Sequence, residues 1–210
     1  MHRPRLSALL AFLLTLCSAP PAGAAAPGEP TIVALGDSLT AGYGVAPHEA
    51  YPALLEAALR REGYRYRVLN AGVSGDTSAG GLRRVDWVLR SRPEVAIVAL
   101  GANDGLRGLP VPAMRENLER IVRRFQEAGA RVLLAGMRIP PNYGADYARE
   151  FAAAFPAVAR STGARLMPFL LKGVAANPAL NQADGIHPNG AGHGAIADRL
   201  LPHLKPLLRR

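Results

Sequence analysis

Short runs of β-branched and apolar residues alternate along the chain with longer segments in which apolar positions recur every three or four residues. The runs Thr31–Leu35, Tyr66–Leu69, Val95–Leu100, Val132–Gly136 and Arg165–Pro168 predict five strands. Helical spacing predicts helices over Glu49–Glu62, Thr77–Arg90, Pro112–Ala128 and Tyr147–Thr162, with a last one over Ala191–Leu208. The strand runs show no clean polar alternation, which suits a sheet covered on both faces. Strand and helix in alternation define an α/β domain with a parallel sheet. Its crossovers are then right-handed, and a ligand belongs beyond the carboxyl ends of the strands, where the topology switches. No repeat, low-complexity stretch or linker follows Pro30, so residues 31–210 read as a single domain behind a short segment at 25–30.

The N-terminus follows a different pattern. Arg3 and Arg5 precede an apolar run from Leu6 to Cys17, and the small residues Ala22-Gly23-Ala24-Ala25-Ala26 come soon after. This is the layout of a secretory signal peptide over residues 1–24, cleaved after Ala24 or, alternatively, Ala26. A transmembrane anchor needs about 20 apolar residues, more than this run supplies. Lipidation at Cys17 is disfavoured because the bulky Leu16 stands where such processing prefers a small residue. The expected location is therefore periplasmic or secreted. Cys17, the one cysteine of the chain, leaves with the leader, which excludes disulfides, a thiol nucleophile and a cysteine metal cluster from the mature protein.

Charge adds less than its size suggests. The 210 residues carry 25 Lys+Arg against 16 Asp+Glu, a formal net charge of +9, with 49% hydrophobic residues. Such a balance first suggests nucleic acid. Lys172 and Lys205 are the only lysines, however, and the arginines are scattered with no basic block longer than a dipeptide. A nucleic-acid partner is not expected. Attraction to an anionic lipid surface is retained as a reason for the excess charge.

Chemistry concentrates where the fold class places a site. Gly36-Asp37-Ser38 follows the first strand, Ala71-Gly72-Val73-Ser74-Gly75 the second and Gly101-Ala102-Asn103-Asp104 the third. Ser38, behind a glycine at a strand end, projects its hydroxyl over the sheet edge. A serine hydroxyl is a poor nucleophile until a base takes its proton. Asp184-Gly185-Ile186-His187-Pro188 offers one: the Asp184 carboxylate, three residues before His187, can hold Nδ1–H and aim Nε2 at Ser38. Pro188 disfavours the helical conformation at His187. The competing reading of this segment is a helix-capping turn with a surface histidine. Candidate oxyanion donors are the N–H of Ser38, the N–H of Gly72 and the side-chain amide of Asn103. Taken singly, Gly72 is equally a turn glycine and Asn103 a capping residue; their joint placement after three strands is what carries weight.

Other constellations are missing. No G-x-S-x-G nucleophile elbow, complete dinucleotide fingerprint or P-loop occurs. His187 and His193 lie six apart with neither cysteine nor H-E-x-x-H, so no metal and no cofactor is expected.

Gly36-Asp37-Ser38-Leu39, Gly72, Gly101-Ala102-Asn103-Asp104 and Asp184-Gly185-Ile186-His187 resemble, block for block, the SGNH (GDSL) hydrolase family. Ala41-Gly42-Tyr43-Gly44, Ser74 to Ser78, Asn103 to Gly108 and Ile139 to Gly144 are similar to its bacterial thioesterase, lysophospholipase and arylesterase subgroup. The resemblance implies a flavodoxin-like three-layer α/β/α fold. It also implies Ser38 as nucleophile, Asp184 and His187 as its partners, and Ser38, Gly72 and Asn103 as the oxyanion hole. The implied substrates are small-molecule or lipid acyl esters and thioesters: aryl esters, acyl-CoA-type thioesters and lysophospholipids. A monomer with at most peripheral membrane contact is expected. Leu106, Leu109, Met137, Ile139, Pro140 and Tyr143 follow the third and fourth strands and offer apolar surface for an acyl chain, with Arg107 placed for an anionic head group. Alternatively these residues only seal the sheet edge. Gly190-Ala191-Gly192-His193 at the last helix departs mildly from the pattern and predicts a less filled wall beside His187. Two other readings stay open: a carbohydrate or peptidoglycan O-acetyl esterase of the same superfamily, and a lipid-binding module without turnover.

Overall fold

The computed structural model describes residues 28–210, so the leader predicted over 1–24 lies outside the described residues. Five strands, β1 (Thr31–Gly36), β2 (Arg67–Gly72), β3 (Val95–Ala99), β4 (Arg131–Ala135) and β5 (Arg165–Met167), form one sheet in the order β2-β1-β3-β4-β5. Every pairing is parallel. The order reverses direction at β1 and β3, which makes their carboxyl ends the switch point of the sheet. The central strands are continuous apolar runs because they are shielded on both faces: Ile32 to Leu35 and Val95 to Ala99 are all buried. The edge strand β2 is only partly buried.

Short α1 (Ser38–Ala41) follows β1, and α2 (Tyr51–Arg61) returns the chain to β2. Then come α3 (Ser78–Leu89), short α4 (Ala102–Leu106), α5 (Val111–Glu127), α6 (Ala145–Thr162) and α7 (Gly190–Leu204). Helix α2 packs with α7, while α3 packs with α5 and α5 with α6, giving one helical layer on each side of the sheet. Helix α5 shows why: Met114, Leu118, Ile121, Val122 and Phe125 share one buried stripe at helical spacing.

The predicted elements are all present, with differences that matter at the site. Strand β2 does not stop at Leu69 but runs on through Asn70, Ala71 and Gly72, which pair with Ala34, Leu35 and Gly36 of β1. Asn and Gly have poor strand propensity; the neighbouring strand overrides it. Ser38 and Asn103 stand on the short helices α1 and α4 rather than in loops. At the other end α7 stops at Leu204 and gives way to a 3-10 turn over Lys205–Leu207, short of the predicted Leu208. Pro206 has no N–H to continue the helical ladder.

Candidate active site

The first side of the site is built from strand ends. Gly36 closes β1 where a Cβ would overlap the Thr40 side chain and crowd the Ala99 carbonyl, so only glycine lets the chain turn here. Asp37 is the N-cap of α1, its Oδ1 accepting the Leu39 N–H at 3.0 Å. Ser38 is thereby fixed as the first helical residue. Burial, with the residue 1% exposed, pushes the Asp37 carboxyl up to about 6. Beneath it, Thr40 Oγ1 and the Tyr51 hydroxyl lie 2.9 Å apart in the core, and burial keeps that phenol neutral.

Gly72 and Asn103 flank this turn. A Cβ on Gly72 would overlap the backbone nitrogen of Ala41, so the glycine is required for β2 to approach α1. Its N–H is given to Asn70 Oδ1 at 2.9 Å, and Asn70 Nδ2 donates in turn to the Thr40 carbonyl at 2.8 Å. Asn103 Nδ2 donates to the Asp76 carbonyl at 3.0 Å and makes a longer contact of 3.4 Å with Asp37 Oδ2. The next residue anchors α4: buried Asp104 accepts the Ser78 N–H at 2.8 Å and the Ser78 hydroxyl at 2.6 Å.

The second side is an exposed turn between Asn181 and Asn189. Asp184 Oδ1 accepts the N–H groups of Ile186 and His187, both at 2.9 Å, and Oδ2 lies 2.7 Å from His187 Nδ1. The His187 N–H, then its ring, then the Ile186 N–H hold the Asp184 carboxyl down at about 2. The other ring nitrogen, Nε2, is 3.0 Å from Ser38 Oγ. With Nδ1–H donated to the carboxylate, Nε2 is the nitrogen free to accept the serine proton.

One residue that supports this turn, Gln182, carries no sequence signal of its own, and Tyr43 stands out only as part of a motif. Gln182 Nε2 donates to the Tyr43 carbonyl at 2.7 Å and to the Pro188 carbonyl at 2.9 Å, tying the turn to the loop after α1. Tyr43 packs its ring against His187 with centroids 4.7 Å apart. Asn189 caps α7 through Oδ1, which accepts the Gly192 N–H at 3.0 Å. A Cβ on Gly192 would overlap the Leu180 carbonyl and crowd Pro188, so backbone packs closely at this point of α7, whereas Gly194 has no neighbour within 4 Å. His193 is fully buried, its Nδ1 accepting the Tyr51 N–H at 3.3 Å.

The predicted apolar wall divides. Leu106, Leu109 and Tyr143 are exposed at 36–38%, Pro140 is exposed and Ile139 half-buried. Tyr143 donates to the Leu106 carbonyl at 3.1 Å and Tyr147 to the Leu109 carbonyl at 2.7 Å, so the segments after β3 and β4 are tied together. Met137 does not belong to that surface. It is 4% exposed and packs in the core, because the chain leaves β4 with this side chain turned inward. Arg107 is exposed, yet its Nη2 already donates to the Gly75 carbonyl at 2.8 Å. Among the described residues no cluster of three or more His, Cys, Asp or Glu has the arrangement of a metal site, and no helix is long and apolar enough to cross a membrane.

A serine, histidine and aspartate in one hydrogen-bonded line at the switch point of a parallel sheet define a flavodoxin-like serine hydrolase. The sequence comparisons agree. Residues 34–195 match the GDSL-like Lipase/Acylhydrolase family, and the chain belongs to it. It is 42% identical over 179 residues to Esterase TesA of Pseudomonas aeruginosa, covering 85% of this chain and 89% of that protein. Identity is 39% over 179 residues to Thioesterase 1/protease 1/lysophospholipase L1 of Escherichia coli, covering 85% of each. Among solved structures, a psychrotrophic esterase EstA from Pseudoalteromonas, inhibited by monoethylphosphonate, superposes with a TM-score of 0.81 at 38% identity, covering 85% of this chain and 98% of that one.

Proposed function

We propose that the chain hydrolyses carboxylic esters and thioesters through an acyl-enzyme on Ser38. The observation that carries this reading is the line Asp184 Oδ2, His187 Nδ1, His187 Nε2, Ser38 Oγ, with steps of 2.7 and 3.0 Å. In the first half-reaction His187 takes the Ser38 proton as Oγ attacks the substrate carbonyl. Asp184 holds the ring tautomer and stabilises the imidazolium that forms. As the tetrahedral intermediate collapses, His187 Nε2–H protonates the leaving alcohol or thiol. Water then enters, gives its proton to His187, and releases the acid while Ser38 recovers its proton.

The oxyanion is assigned to the N–H groups of Ser38 and Gly72 and to Asn103 Nδ2. In the resting protein the Gly72 N–H faces Asn70 Oδ1, a neutral acceptor, and one Asn103 contact is a long 3.4 Å. A developing oxyanion is a stronger, charged acceptor and displaces both. Each such donor contributes about 2.7–4 kcal/mol to transition-state stabilisation.

Leu106, Leu109, Ile139, Pro140 and Tyr143 are proposed as the acyl-chain wall, which favours aryl esters, acyl thioesters and lysophospholipids, in keeping with the names of the relatives. The leader over residues 1–24 is proposed to export the chain, with Arg3, Arg5 and the Ala22-Gly23-Ala24 stretch in support. Residues 31–210 then act as one periplasmic or secreted domain.

The test is a series of p-nitrophenyl esters from acetate to palmitate, run beside an acyl-CoA and lysophosphatidylcholine. Turnover extending beyond acetate into longer chains supports the proposal. Strict acetate preference transfers the site to the O-acetyl esterase reading, and no turnover leaves a binding module.

A further inference from the structure

We propose that Arg84 is a positioning residue of the oxyanion hole: its guanidinium holds the ends of β1 and β2 and the Asp76 segment together and strengthens the Gly72 N–H as a donor. The inference rests on the oxyanion assignment above and concerns a residue that touches neither substrate nor the triad.

Arg84 lies on α3, and its side chain is 19% exposed. Each nitrogen of its guanidinium meets a segment that carries or orients one of the proposed oxyanion donors. Nη2 donates to the Gly36 carbonyl at 2.9 Å, two residues before Ser38. Nη1 donates to the Ala71 carbonyl at 2.7 Å. Nε donates to Asp76 Oδ2 at 2.7 Å, and the Asp76 carbonyl is the acceptor that orients Asn103 Nδ2 at 3.0 Å. Gly80 makes room for this clamp, since a Cβ there would overlap Asp76 Oδ1.

The Ala71 contact has a further chemical consequence. The Ala71 carbonyl and the Gly72 N–H belong to the same peptide group. A cationic donor on that oxygen draws electron density through the amide and makes its N–H more acidic, so hydrogen bonds on the two ends reinforce each other. The guanidinium thus acts on the Gly72 donor from behind, in a partly buried place where water screens it weakly. The planar guanidinium suits this role, because its five fixed N–H vectors reach three acceptors on different segments, which an ammonium does not.

A residue that only braced the fold would change stability and leave the chemical step alone. The positioning role instead predicts a loss in kcat at nearly constant KM, because the polarised N–H matters only once negative charge develops. Removing a whole oxyanion donor costs about 10²–10³ in kcat; weakening and loosening one should cost roughly 10- to 100-fold. The experiment compares the parent protein with Arg84→Gln and Asn103→Ala on p-nitrophenyl butyrate, with circular dichroism to establish folding and the rate of phosphonylation by a p-nitrophenyl alkylphosphonate as a second readout. The expected result is that Arg84→Gln folds, keeps KM within about threefold and loses kcat and phosphonylation rate in parallel. A kcat within twofold of the parent, or a loss confined to KM, overturns the proposal. If Asn103→Ala also leaves kcat untouched, it is the oxyanion assignment itself that has failed; if only Arg84→Gln is silent, the failure is that of Arg84 alone. Should Arg84→Gln not fold, Arg84→Lys takes its place in the same two assays: a parallel loss of kcat and phosphonylation rate at nearly constant KM supports the proposal, and a kcat within twofold of the parent overturns it.

Discussion

The two sides of the candidate site reach one hydrogen-bonded line by opposite means. Gly72 ends one of three paired strands and Ser38 and Asn103 stand at the start of the short helices just beyond the other two, where Asp37 and Asp104 are buried and Gly72 passes backbone against backbone. Asp184 and His187 stand on an exposed turn, whose geometry comes from backbone N–H groups donated to one carboxylate and from the reach of Gln182 to Tyr43. Their carboxylates register the difference: burial pushes Asp37 up to about 6, while hydrogen bonds in water hold Asp184 at about 2. The strand side holds its partly buried donors in fixed directions, which suits the oxyanion proposed there. The turn side keeps its carboxylate ionised and leaves the imidazole part-exposed, as the proposed role of His187 needs. Changes on the strand side should therefore disturb folding and chemistry together, and changes on the turn side chiefly chemistry.

The largest effect tests the junction of the two sides. Ser38→Ala or His187→Ala should lower kcat by about 10⁶-fold, and Asp184→Asn by about 10⁴-fold, as in comparable triads. In a urea titration near neutral pH the Asp184 variant should lose only a little stability, because the hydrogen bonds that hold its carboxyl down are exposed to solvent; a collapse in stability would place it with the buried side.

Asn103→Ala should reduce kcat by about 10²–10³ with a smaller change in KM. It also removes the 3.4 Å contact to Asp37 Oδ2, so a measurable loss of stability is expected to accompany it. Equal stability with lowered kcat would mean that the strand side is less coupled than described.

The carboxylates offer a pH test with opposite signs. Asp37 has a folded value of about 6 against an ordinary 3.8. Its contribution to stability is present below the unfolded value and is lost as pH rises through about 6. At 1.36 kcal/mol per pKa unit, the loss between pH ~4 and ~7 is about 2–3 kcal/mol. Asp184 behaves the other way: its contribution is present above 3.8 and lost as pH falls through about 2. Urea unfolding of the wild type and Asp37→Asn across pH 4 to 7 should show the wild type losing stability relative to the variant as pH rises. A flat difference would contradict the burial assigned to Asp37.

The smallest contrast uses one glycine from each side. Gly72→Ala places a methyl against the Ala41 nitrogen and should cost about 1–3 kcal/mol, together with activity. Gly185→Ala meets no atom within 4 Å but sits at a φ of +69°, so about 1 kcal/mol of backbone strain is expected. Comparable thermal shifts with equal activity losses would erase the distinction between the sides.

Much of this division was legible in the chain. Buried parallel strands are continuous apolar runs, so β1 and β3 and the turn residues behind them could be placed, and Ser38, Asp184 and His187 carried their own chemical logic. The extension of β2 to Gly72 was hidden because Asn70 and Gly72 pair through backbone alone. Helices α1 and α4, of four and five residues, are too short to establish a period. Gly72 looked like a donor or a turn glycine, while its close approach to Ala41 depends on how two strands are set side by side. Arg84 was one arginine among many scattered ones, and nothing in its neighbours reveals that three segments converge on it. Met137 shows the same limit in reverse: its position after β4 was readable, but the direction of its side chain was not.

The most direct measurement is the site of covalent capture. The full chain is treated with a p-nitrophenyl alkylphosphonate and its peptides are examined by mass spectrometry, alongside His187→Ala. One adduct per chain is expected, on Ser38, formed far more slowly when His187 is replaced. An adduct on Ser74, Ser78 or any other residue while Ser38 stays unmodified, or a Ser38 adduct formed as fast without His187, would contradict the assignment of Ser38 as nucleophile and His187 as its base.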